Sequence, residues 1–311
     1  MLNRFIIQCL KILCWLLGHI PLILLLWFGR GLGRLGFYLD KKHREIVLNN
    51  LQTVFGQEKS PDEIHLTAKN VFENLGMNLM EFFRLPWLKR EDLEGYVEPE
   101  GFENLRKAYE KGKGVIILTG HFGNWEMVGF FYALMGYPFD VVVRDIDNPV
   151  MDAFVRWVRA GAGNRIISKN RSMRGLIRTL SKGGMAAILL DQNVTWSEGV
   201  FVYFFDRLAC TNKGTALLAM ASGATVVPTF TIREGKKHRF IIGQEIAVHD
   251  TGDRARDQID NTALFTKVIE DFIRRYPEQW FWLHQRWKSR PGNDPNKGTK
   301  KAAMIQIKKH D

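Results

Sequence analysis

Apolar positions change their spacing three times along this chain. Residues 12–28 are nearly all apolar, interrupted only by Gly18, His19 and Pro21. The run approaches the roughly 20 residues that a bilayer-crossing helix needs, and Pro21 offers the alternative of two shorter interfacial pieces. A cleaved leader fits less well, because the run ends in Trp27-Phe28-Gly29-Arg30 and has no small-x-small cleavage site. The basic residues after it (Arg30, Arg34, Lys41, Lys42, Arg44) outnumber the two before it (Arg4, Lys11), which assigns the rest of the chain to the cytoplasmic side. Residues 1–40 therefore read as a retained membrane-anchor helix with a basic juxtamembrane segment.

The period then becomes helical. Residues 40–90 form a helical region in which Ser60-Pro-Asp-Glu63 opens one helix with a cap, a first-position Pro and acidic residues in the first turn. Val71, Leu75, Leu79 and Phe82 keep helical spacing up to a break at Pro86, and a further helix over 101–109 ends at Lys-Gly-Lys-Gly, 111–114. Beyond it the pattern alternates. Strands are expected at 115–118, 140–144, 165–168, 185–190, 224–232 and 238–243. Helices are expected from Asn124 onward, over 148–159, over 172–181 and over 261–276. This order predicts an α/β fold, a mainly parallel sheet flanked by helices and preceded by a helical N-terminal region. Residues 41–290 make one domain, and 291–311 a basic, disordered tail.

Charge narrows the partners. With 44 Lys plus Arg against 33 Asp plus Glu, the net charge of +11 points to an anionic partner: nucleic acid, anionic lipid or a phosphorylated substrate. No nucleic-acid-binding motif is present, and the apolar N-terminus favours lipid. Three cysteines make no disulfide framework, and no metal-ligand spacing occurs. Gly31-Leu-Gly-Arg-Leu-Gly36 imitates a dinucleotide fingerprint, but it lacks the preceding strand and the later acid that the motif requires.

Chemistry concentrates at 114–126, where a buried strand runs into Thr119-Gly-His-Phe-Gly-Asn-Trp-Glu126. On one helix His121 and Glu126 would lie about 140° apart. With His121 on the loop and Glu126 in the first turn of a helix capped by Asn124, they can converge. An imidazole is a general base suited to neutral pH, and a carboxylate beside it fixes its tautomer.

That stretch resembles the signature of the bacterial lipid A biosynthesis acyltransferases, the lauroyl and myristoyl transferases, within the wider glycerolipid acyltransferase superfamily. The resemblance continues through Asp145-Ile-Asp-Asn-Pro149, Leu190-Asp-Gln-Asn193, Val200-Phe-Val-Tyr-Phe-Phe-Asp206, Gly223-Ala-Thr-Val-Val-Pro228 and the block from Tyr276 to Pro291. It implies acyl transfer from acyl carrier protein, or coenzyme A, to a hydroxyl of a membrane glycolipid at the inner membrane, without a cofactor. His121 would be the base and Glu126 its partner. An arginine after Asn-Pro maps to Arg156 or Arg159, with Arg156 favoured, and an aspartate after the following strand maps to Asp191. Arg144 becomes a phosphate-binding candidate, and Asn124 joins the substrate-binding set. Arg171, Arg174 and Arg178 recur at helical spacing as further cations. No enzyme nucleophile is required, in keeping with the absence of Gly-x-Ser-x-Gly. Other acceptors, such as a mannosylated phosphoinositide or an amino-acid lipid, fit the same chemistry.

Overall fold

The computed structural model describes residues 2–143, 146–168 and 172–292. Arg144, Arg171 and nearly all of the expected tail lie outside them. Seven strands form a sheet in the order β1-β9-β8-β2-β5-β3-β4. They are β1 (Val97–Glu100), β2 (Val115–Thr119), β3 (Asp140–Val143), β4 (Arg165–Ser168), β5 (Met185–Leu189), β8 (Thr225–Glu234) and β9 (Lys237–Ile242). Every neighbouring pair is parallel except β8 and β9.

All five residues of β2 are buried, which is why that strand reads as an unbroken apolar run. Its alternate positions serve two layers. Ile116 and Leu118 enter the core built with α3 (Lys41–Phe55), α4 (Pro61–Arg84), α8 (Ser172–Leu180), α9 (Gly214–Ser222) and α10 (Arg254–Arg275). Val115 and Ile117 enter the opposite core with α5 (Phe102–Glu110), α6 (Trp125–Leu134) and α7 (Pro149–Ala160). The α/β expectation therefore holds.

Three features depart from the sequence reading. The apolar N-terminal run is two helices, α1 (Leu2–Gly18) and α2 (Leu22–Leu39), because Pro21 has no N–H to continue the first. By length and composition α2 alone, among the described residues, could cross a membrane. A separate hairpin, β6 (Gly199–Phe204) with β7 (Arg207–Asn212), turns through Phe205 and Asp206, both at positive φ. The Phe205 N–H donates to the buried Glu270, which holds that turn (2.6 Å). Helix α10 starts seven residues before its apolar period, capped by Asp253 (Arg256 N–H to Oδ1, 3.1 Å).

Helix α4 joins the N-terminal helices to the sheet. Ser60 and Glu63 close a capping box at its start. Near its end Glu81, fully buried, accepts from Arg233 (2.5 and 2.9 Å), His238 Nε2 (2.9 Å), Tyr96 (2.7 Å) and Asn124 (2.6 Å). Burial works to raise the Glu81 carboxyl, but Arg233 and His238 outweigh it and hold the group well below the usual range. Removing one member of such a pair strands the other charge, a cost of about 3–5 kcal/mol. Glu81→Ala is therefore expected to lower the free energy of unfolding by about that much, measured by urea denaturation in detergent.

Candidate active site

The stretch Thr119–Glu126 leaves β2 at the C-terminal edge of the sheet, where open α/β folds place ligands. Gly123 adopts φ +55°, and a Cβ there would lie 1.8 Å from the Thr231 carbonyl oxygen, so only glycine fits. The C-terminal block stitches the loop in place: Phe281 N–H donates to the His121 carbonyl (2.9 Å) and Gly123 N–H to the Gln279 carbonyl (2.8 Å).

His121 meets a carboxylate, but it is not Glu126. Its Nδ1 lies 2.8 Å from Asp191 Oδ1, and its backbone N–H donates to Asp191 Oδ2 (2.8 Å). Trp280 Nε1 donates to that same Oδ2 (2.7 Å). Burial of Asp191 would raise its carboxyl; the His121 charge and these three donors win and lower it to about 2. An ionised Asp191 takes the Nδ1 proton of His121 in hydrogen bond and leaves Nε2 toward the cavity, where Gln192 Nε2 stands 3.4 Å away.

Glu126 instead forms a two-bond pair with Arg159, at 2.9 Å from Nε and 2.5 Å from Nη2, and accepts from Trp125 Nε1 (3.1 Å). The partner expected for His121 is thus displaced: the first turn of α6 aims Glu126 at α7, whereas Asp191 comes off β5 directly beside β2. Of the two candidate arginines, Arg159 lines the cavity and holds Glu126; Arg156 bonds Asp152 on its own helix (2.6 Å) and is not among the lining residues. Asn124, expected in the substrate-binding set, is 1% exposed, caps α6 by accepting from Met127 N–H, donates to Glu81 and is not among the residues lining the cavity. Arg144 lies outside the described residues.

His121, Glu126 and Arg159 line a cavity of about 1380 Å³. Val128, Phe139, Val141, Leu176, Ala187 and Leu218 are among its apolar lining residues, and Gly129 and Asn164 line it too. Its polar part carries Gln192, Asn193, His284 and Ser289. Cys210 is not among the lining residues, and burial raises its thiol to about 11, so it supplies no thiolate nucleophile.

The chain matches the model of the bacterial lipid A biosynthesis acyltransferase family over residues 1–289. It belongs to that family. It is 29% identical to the lipid A biosynthesis lauroyltransferase of Escherichia coli K12 over 286 residues, 91% of each chain. It is 28% identical to the palmitoleoyltransferase of the same strain over 89% of each chain. With the myristoyltransferase it shares 27% over 85% of this chain and 80% of the other. A Thermotoga maritima 1-acyl-sn-glycerophosphate acyltransferase structure aligns over 79% of this chain and 94% of that one, at 15% identity and a TM-score of 0.36. The chain is accordingly an acyltransferase, and its family acts in acyl transfer to lipid A.

Two side chains of the C-terminal block, Arg286 and His284, bond the chain around this cavity. Arg286, fully buried, donates to the Cys210 carbonyl (2.9 Å) and Thr211 Oγ1 (2.5 Å); burial lowers its guanidinium to about 10. His284 Nε2 accepts from Asn193 N–H (2.7 Å), and burial, the largest cause, lowers it to about 4. A His held neutral in the fold destabilises it wherever the unfolded chain is protonated and the folded chain is not. Stability is therefore full above about pH 6.5 and declines as pH falls toward about 4. From pH 7 to pH 5 the unfolding free energy is expected to drop by about 2 kcal/mol from this group. His284→Gln, which keeps an acceptor, should flatten that part of the urea-denaturation profile.

Proposed function

We propose that this acyltransferase moves a fatty acyl chain from the thioester of acyl carrier protein to a hydroxyl of a lipid A precursor, at the cytoplasmic face of the inner membrane. The observation that carries this reading is the His121–Asp191 pair set at a cavity of about 1380 Å³ with many apolar side chains in its lining. His121 Nε2 takes the proton of the acceptor hydroxyl as its oxygen attacks the thioester carbonyl carbon. The carbon–sulfur bond then breaks, and the imidazolium returns the proton to the departing thiolate. Asp191 holds the ring and stabilises the cation. Arg159, kept charged by Glu126, and the N-terminal turn of α6 stand where negative charge develops on the carbonyl oxygen.

The anionic character of both substrates has a match. Arg174, Lys213 and Lys288 line the same cavity, and among the described residues none has a carboxylate at salt-bridge distance. The apolar lining residues suit a chain whose every buried CH₂ contributes about 0.8 kcal/mol.

The test is turnover of acyl-carrier-protein thioester and a purified lipid A precursor in detergent. His121→Ala is expected to lose at least about 10²–10⁴ in kcat, the usual worth of general-base catalysis. Asp191→Asn and Glu126→Gln should each fall substantially as well. Wild-type turnover that survives in His121→Ala would overturn the mechanism, and none in wild type would remove this acceptor or donor. Gly129 tests the chain pocket: a Cβ there would stand 3.1 Å from Asn164 Nδ2 and 3.7 Å from Phe139 Cζ. Gly129→Leu is expected to move the preferred acyl chain to shorter lengths, read by competing thioesters in one reaction.

A further inference from the structure

Helix α2 meets the composition of a membrane span, yet its packing argues for another placement. One face is fused to α4 at backbone distance. A Cβ on Gly33 would lie 2.2 Å from the Phe72 carbonyl oxygen, on Gly76 2.1 Å from that of Gly29, and on Gly29 2.7 Å from that of Gly76. Arg30 and Arg34 reach across to Glu73 (3.3 and 2.5 Å), and Arg84 holds the α1–α2 turn by donating to the Ile20 carbonyl (2.9 Å).

The other side of α4 belongs to the catalytic domain. Asn74 donates to the Glu278 carbonyl (3.2 Å), Asn78 to the Gly123 carbonyl (2.6 Å), and Glu81 accepts from Asn124 (2.6 Å). A crossing α2 would draw this polar helix, with Glu73 and its asparagines, into hydrocarbon, where each ionised side chain costs about 2.5–3.5 kcal/mol or more. The remaining arc of α2 is apolar. At about 100° per residue, Trp27, Tyr38, Leu24, Leu35, Phe28 and Leu39 fall within about 120°, all exposed, Trp27 at 75%, with Arg34 and then the exposed Ile23 at its edge beyond Trp27. Helix α1 adds exposed Phe5, Ile12 and Leu16 on one side. Seven Lys or Arg and a single acid, Asp40, stand in the first 44 residues, so the border of this apolar face is cationic.

We propose that α1 and α2 cross no membrane: they lie in the plane of a single anionic leaflet, their exposed apolar arc immersed and their basic residues at the phosphate level. The inference rests on the membrane location proposed above but not on the reaction. Lys11 of α1 stands over the Trp157 ring (4.9 Å), and Trp157 belongs to α7, the helix that supplies Arg159. The catalytic cavity thus stands beside the leaflet, and a lipid acceptor need not leave it to react.

Two measurements test this on the full chain. In a Cys9→Ser background, His19→Cys in the α1–α2 turn and Asp250→Cys on the catalytic domain are treated with a membrane-impermeant maleimide, in right-side-out and in inverted membrane vesicles. Any crossing, by α2 alone or by both helices, delivers residue 19 to the face opposite residue 250. Labelling of His19→Cys from the Asp250 side, or its protection from both, is the expected result; labelling from the opposite side overturns the proposal. Next, Leu24→Ser, Trp27→Ser and Leu35→Ser together should weaken partition onto phosphatidylcholine vesicles containing phosphatidylglycerol by about 10-fold or more. The thermal unfolding of that variant should match wild type, because the three side chains face solvent. The wild-type protein should bind less to vesicles without phosphatidylglycerol. Partition unchanged by the triple substitution, or by removal of phosphatidylglycerol, would contradict a leaflet-immersed arc with a cationic border.

Discussion

The Asp191 carboxylate is the point on which the site depends. It is 2% exposed, and three polar hydrogens could not be left around it without an ionised acceptor. By accepting from the ring and the backbone of His121 at once, it sets both the position of the loop and the tautomer of the base. By accepting from Trp280 it draws the C-terminal block over the same edge of the sheet. That block then contributes Phe281 and Gln279 to the loop and His284 to the Asn193 backbone. Its dense aromatic residues are largely core: Trp280 and Trp282 are among the most deeply buried side chains of the molecule.

A second carboxylate, Glu126, works through a different partner. Its pair with Arg159 bridges α6 and α7 and keeps a cation at the cavity wall. In the proposed reaction the two acids divide the work, one orienting the base and the other holding positive charge where an oxyanion would form. Behind both, α4 ties Glu81 to the cap of α6 and Gly76 to α2, so the His121 loop and the N-terminal helices share one support.

Much of this was legible in the residues. The apolar run 115–118 gave the central strand, because a strand buried on both faces leaves no polar position. Asn148-Pro149 and Ser60-Pro61 marked helix starts, because capping is local chemistry. Elements without a period escaped: α9 is small and apolar all round, and the first turns of α10 are polar. The pairing inside the site escaped for another reason. Spacing along the chain favoured Glu126 for His121, but β5 lies next to β2, and sheet order brings Asp191 closer than five residues of sequence can. Choosing Arg159 over Arg156 likewise required knowing which face of α7 looks toward α6.

The assignment of Asp191 as the acid that governs His121 is the claim most exposed to direct measurement. Nitrogen-15 spectra of the His121 imidazole, in wild type, Glu126→Gln and Asp191→Asn, report which ring nitrogen carries the proton in the neutral form. The structure predicts a proton on Nδ1 in wild type, unchanged in Glu126→Gln and lost as the dominant form in Asp191→Asn. A tautomer that shifts in Glu126→Gln and persists in Asp191→Asn would contradict the account.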